Sequence, residues 1–120
     1  MEVPILKQGN YLIASIQSAL SDSDLAQLRD ALVERVGRSR SKGVIIDLTA
    51  LDILDSFATR TLRDTAHMIR LRGAETVIVG MQPAVAATLV QMGYYMDDIR
   101  TALSLEEGLD MDGGPAADGK

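Results

Sequence analysis

Apolar and polar positions alternate along this chain in two rhythms, and the switches between them mark its elements. Val3-Pro4-Ile5-Leu6 is a short apolar run containing a proline that cannot donate to a ladder, which predicts a strand at a sheet edge or at the start of a sheet. Gly9-Asn10, two residues that tolerate positive φ, predict a hairpin turn into a second strand, Tyr11 to Ile16. Leu25, Leu28, Leu32 and Val36 recur at spacings of three and four and predict a helix, with Ser21, Asp22 or Ser23 as its cap. Gly43 breaks that pattern, and Val44 to Leu48 follows as the kind of run that is buried on both faces of a parallel sheet. Thr49 to Asp55 reads as a loop. The next helix runs from Ser56 to Arg72 and stops at Gly73. Thr76 to Gly80 is another apolar strand. Pro83 opens a third helix, with Val85, Ala86, Leu89 and Val90 inward and Gly93 at its end. Asp98 to Ala102 is a weak last strand. Ser104 with Glu107 three residues later forms a capping-box pattern for a short final helix. The order ββαβαβαβα predicts an α/β fold: a mixed, mostly parallel sheet that begins with a β-hairpin and has helical crossovers. Residues 1–109 read as a single domain and 110–120 as a disordered tail.

Composition narrows the function classes. The 120 residues are 47% apolar, enough for one cored domain. No run approaches the ~20 apolar residues that span a bilayer, and Glu2 and Pro4 near the start do not suggest a signal peptide, so no membrane partner is expected. The lack of cysteine removes disulfides, thiolate catalysis and cysteine-ligated zinc, and fits a cytoplasmic location. A net charge of −5 with 3% aromatic residues offers no nucleic-acid footprint.

Enzyme signatures do not assemble. The phosphate-cradling, dinucleotide-binding and nucleophile-elbow glycine motifs are all missing. His67 lies in the second helix near Arg63 and Arg70 and reads as a solvated helical histidine. A phospho-receiver domain needs an acidic pair after the first strand, a central acid and a lysine near the last strand. Asp47 imitates the central acid, but the first strands end at Gln8 or Gln17 and the lysines are Lys7, Lys42 and Lys120. Arg35, Arg38, Arg40 and Lys42 crowd the end of the first helix, where cations complement the helix dipole; a docking patch is the alternative.

The most informative stretch is Ile46 to Arg60. It carries a buried strand into a loop exposing Asp52 and Asp55, and starts a helix at Asp55 or Ser56. One reading of Asp55-Ser56 is a cap and first turn. The other is a hydroxyl within reach of a kinase, where a phosphoryl group would add about −1.5 to −2 charges. Asp52 and Asp55 would repel that group, so partners could change while the fold persists. Arg60, Arg63, His67 and Arg70 share a helical stripe, either a solvated face or a docking face for an acidic partner.

Ile45-Ile46-Asp47-Leu48 followed by Asp55-Ser56-Phe57, in this element order, resembles the STAS domain of anti-sigma-factor antagonists. The run Asp55-Ser56-Phe57-Ala58-Thr59-Arg60 is most similar to the RsbS branch of the stressosome, and Leu71 to Val77 is similar as well. The resemblance covers roughly residues 1–109. It implies a STAS fold and a non-catalytic scaffold without cofactor. Such a scaffold sequesters an RsbT-type serine/threonine switch kinase, assembles with RsbR-type co-antagonists, and releases the kinase when Ser56 is phosphorylated. Asp52, Asp55, Phe57, Thr59, Arg60 and Arg63 would then form the partner surface. Antagonists that bind anti-sigma kinases directly often follow Asp-Ser with Ser or Thr and then Gly; Phe57 and Ala58 depart from that and favour the scaffold branch. The alternatives are a stand-alone antagonist that binds an anti-sigma kinase directly, or a nucleotide- or small-molecule-binding STAS module. Thr59, Thr61 and Thr88 stay open as secondary phosphosites. The edge near Val3–Ile5, blunted only by Pro4 and Lys7, suggests a homodimer.

Overall fold

The computed structural model describes residues 3–91, 99–102 and 108–109. Its elements are β1 (Ile5–Gln8), β2 (Tyr11–Ser15), α1 (Asp22–Ser39), β3 (Gly43–Asp47), α2 (Ser56–Leu71), β4 (Glu75–Val79), α3 (Pro83–Gln91) and β5 (Ile99–Ala102). Pro4 lies outside the first strand, consistent with its missing N–H. β1 pairs antiparallel with β2 from Ile5↔Ala14 to Gln8↔Tyr11 across the Gly9-Asn10 turn. Only Gly9 takes positive φ there, at 59°, which is the requirement of a type II′ hairpin. β2, β3, β4 and β5 are parallel neighbours, and the strand order in the sheet equals the order in the chain.

That order places the core. Each crossover advances the sheet in the same direction, and right-handed crossovers then put α1, α2 and α3 on one face. Leu12, Ala14, Val44, Ile46 and Ile78 of that face pack with Leu25, Leu28, Leu32 and Val36 of α1, Leu62 and Ile69 of α2, and Val85 and Leu89 of α3. Tyr11, Ile13, Ile45, Val77 and Val79 form the other face, against which Leu109 packs. β3 and β4 are therefore covered on both sides, which is why their sequences do not alternate.

Three expectations change. Gly43 is the first residue of β3, not a breaker before it. Val90 is 77% exposed rather than inward. It lies five residues after Val85, about 140° around the helix from it, while Leu89 stays on Val85's side. Arg35 is more than a helix-end cation: its Nη1 donates to the Ile5 carbonyl at 3.1 Å and ties α1 to the edge strand. The stop at Gly93, the strand start at Asp98, the Ser104–Glu107 capping box and the tail lie outside the described residues. No helix among the described residues is long and apolar enough to cross a membrane.

Candidate functional site

The parallel strands end at Ser15, Asp47 and Val79, and the chain leaves β3 there to begin the loop that carries Ser56. Asp47 braces this loop. Its Oδ1 accepts the Thr49 N–H at 2.9 Å and the Thr49 hydroxyl at 2.6 Å, the short-range pattern by which Asp fixes a turn. The Leu48 N–H donates to the Val79 carbonyl at 3.0 Å, and the Leu51 N–H to the Leu48 carbonyl at 2.9 Å. Gln82 Nε2 donates to the Thr49 carbonyl at 2.8 Å, tying the loop to the segment after β4. Leu51 and Leu54 are buried while Asp52, Ile53 and Asp55 face solvent. The loop is thus pinned by its leucines and presents its acids.

Helix α2 starts from a complete cap. Asp55 is extended, with φ −81° and ψ 178°, and its Oδ1 accepts the Ala58 N–H at 2.7 Å. That bond leaves Ser56 as the first helical residue. Ser56 is exposed, and its hydroxyl makes no hydrogen bond among the described residues. Phe57 is partly buried and packs against the core. A shallow apolar hollow of about 80 Å³, lined in part by Ile16, Leu20, Leu51, Leu54 and Leu62, opens beside Asp55, with the 74% exposed Ile53 on its wall.

The six residues expected around Ser56 do not all share its surface. Asp52, Asp55, Arg60 and Arg63 are exposed near it along the loop and helix, and Phe57 is half in the core. Thr59 is a correction: its side chain is fully buried and its hydroxyl donates to the Asp55 carbonyl at 2.8 Å, so it offers a partner nothing. Thr61 is buried too, and the Thr88 hydroxyl donates to the Ala84 carbonyl at 3.0 Å. Arg60, Arg63, His67 and Arg70 are all exposed on one side of α2. Sequence reasoning missed the bracing role of Asp47, the anchoring by Gln82 and the exposure of Ile53. The Asp-x-Thr spacing of Asp47 and Thr49 was the available signal for the first.

The family model for the STAS domain matches residues 2–108. The chain belongs to the STAS domain family. Among solved structures, this STAS domain is 38% identical to an RsbS of Moorella thermoacetica carrying a serine-to-glutamate substitution, with a TM-score of 0.80 over 90% of this chain and 92% of that one. It is 35% identical to a chain in the molecular architecture of the stressosome, a signal integration and transduction hub, with a TM-score of 0.74 over 89% and 93% of the two chains. It is also 22% identical over 107 residues to the RsbT co-antagonist protein RsbRA of Bacillus subtilis strain 168. That match covers 89% of this chain but only 38% of the curated relative, so the chain spans about two fifths of that protein's length.

Proposed function

We propose that this STAS domain is a non-catalytic scaffold of a cytoplasmic stressosome-type assembly. In this reading it holds an RsbT-type serine/threonine switch kinase while Ser56 is unmodified and releases it once Ser56 is phosphorylated. The observation that carries the reading is the exposed, unbonded hydroxyl of Ser56 at the first position of a capped helix, on a loop braced at Asp47. A kinase reaches such an oxygen without unfolding anything. The serine oxygen takes the γ-phosphoryl group of ATP, its proton passes to a base of the kinase, and ADP leaves. The product adds about −1.5 to −2 charges beside Asp52 and Asp55. A partner surface complementary to a neutral hydroxyl there then meets like-charge repulsion and an anion that is costly to desolvate. Asp52, Asp55, Phe57, Arg60 and Arg63 are the docking residues in this reading. RsbR-type co-antagonists, homologous to the relatives above, are the companions in the larger complex, and the outer edge of β1, which pairs with no further strand among the described residues, serves self-association.

The test is a pull-down of the co-encoded switch kinase with Ser56→Ala and Ser56→Asp chains, together with intact-mass and fragment analysis after incubation with kinase and ATP. Ser56→Ala is expected to retain the kinase, Ser56→Asp to lose it, and one phosphoryl group to map to Ser56. Equal retention by both variants, or modification elsewhere only, would refute the reading.

A further inference from the structure

Arg60 lies four residues after Ser56 on α2, both side chains are exposed, and Arg60 makes no hydrogen bond or ion pair among the described residues. At 100° per residue the two project about 40° apart, and residues at this spacing have Cβ atoms about 5–6 Å apart. Helical side chains lean toward the N-terminus, so a residue covers the surface of the turn before it. The Arg60 side chain can therefore reach back over the Ser56 position. An anion placed four residues before a cation is also the favourable order for a helical pair.

The surrounding charges act in the same direction. Asp52 and Asp55 stand on the loop side of Ser56, and the Asp55 carboxylate already occupies the Ala58 amide at the helix start. A phosphoryl group on Ser56 is repelled from that side and attracted along the helix. The next cation, Arg63, lies 3.8 Å from Asp64, so its charge is partly answered.

We propose that Arg60 is the intramolecular receiver of the phosphoryl group on Ser56. An arginine fork suits phosphate oxygens, and closing this pair turns the guanidinium inward along α2. Phosphorylation then changes the docking surface twice: an anion appears and an outward-facing cation is withdrawn. This proposal rests on the reading of Ser56 as the phosphosite.

Phosphoserine installed at position 56 by codon-directed incorporation tests the pairing without any kinase. Phosphorus NMR then follows the second ionisation of the phosphate in the Arg60 chain and in its Arg60→Gln, Arg60→Lys and Arg63→Gln variants. The Arg60 chain is expected to ionise about 0.15–0.4 pH unit lower than Arg60→Gln, with Arg60→Lys between them and Arg63→Gln close to the parent. Equal midpoints for the parent and Arg60→Gln, or a larger change in Arg63→Gln, would overturn the assignment. Because the modification is built in, a negative result here leaves the kinase-capture reading standing. Failure of the pull-down likewise leaves this measurement intact.

Discussion

Gly80 supports the loop that carries Ser56, and replacing it with alanine should disturb that loop from the end of the neighbouring strand β4. Gly80 has φ +72°, a conformation that costs an L-residue about 1–2 kcal/mol. A Cβ added there would also collide with the Thr49 hydroxyl oxygen and sit 3.0 Å from Thr49 Cβ and 3.1 Å from Thr49 Cα. Two of these three atoms are close to or part of the main chain, so a rotamer change cannot relieve the contact. Thr49 must move, and with it the two bonds to Asp47 Oδ1 and the Gln82 bond to the Thr49 carbonyl. These bonds are exposed, so their loss adds only about 1–2 kcal/mol in total. The sum is about 2–4 kcal/mol, or a fall in Tm of roughly 10 °C for a domain of this size. Urea denaturation of Gly80→Ala, Thr49→Ala and the double variant separates the contributions. The hydroxyl is already missing in the Thr49→Ala background, so Gly80→Ala should cost less there, with a coupling of about 1 kcal/mol. Kinase retention by Gly80→Ala should drop even well below its melting temperature, because the brace and not the core is damaged. A single-variant cost of about 1 kcal/mol or less, additive in the cycle, would show that only the backbone conformation is strained and that Thr49 does not press on Gly80.

Other substitutions test separate parts of the structure. Thr76 is fully buried in β4 and its Oγ1 has no hydrogen-bond partner among the described residues, so Thr76→Val should raise stability by about 1 kcal/mol in chemical denaturation. Arg40 ends α1 in the left-handed region with φ 53° while its N–H bonds the Val36 carbonyl; Arg40→Gly should stabilise by about 0.5 kcal/mol, visible as a small rise in Tm. Asp55→Ala removes the acceptor for the Ala58 N–H and should cost about 1 kcal/mol, whereas Asp55→Asn should keep most of the stability.

The fold was legible because burial repeats at fixed intervals. Leu25, Leu28, Leu32 and Val36 could only line one side of a helix, and they do. Val44-Ile45-Ile46 announced a strand with no wet face, and all three are fully buried. Boundaries were harder, and Gly43 shows why. Glycine reads as a stop, but here it pairs with Tyr11 and Glu75 as a strand residue. An added Cβ would stand 2.6 Å from Tyr11 Cε1, so the aromatic ring fills the place of the missing side chain. That close approach depends on a neighbour 32 positions away in the chain, and no local pattern contains it.

Exposure around the candidate site was legible at Ser56 and misleading at Thr59, for one reason: polarity reports exposure poorly where the backbone can satisfy a hydroxyl. Ser56 and Thr59 look alike in sequence, two alcohols near the start of one helix. They lie about 60° apart around its axis, and the boundary of the buried side passes between them. Ser56 falls on the outer side with Arg60 and Arg63. Thr59 falls inside, where the Asp55 carbonyl accepts its proton and makes full burial tolerable. Asp47 raises the opposite question. An acid at the end of a central strand invites a chemical role, yet its Oδ1 is occupied twice over by Thr49. Its part is to hold still the loop that presents a different residue. Ser56 thus keeps an exposed hydroxyl with no hydrogen bond among the described residues, while Asp47, Asp55 and Thr59 near it are committed to bonds that hold the loop and the helix start.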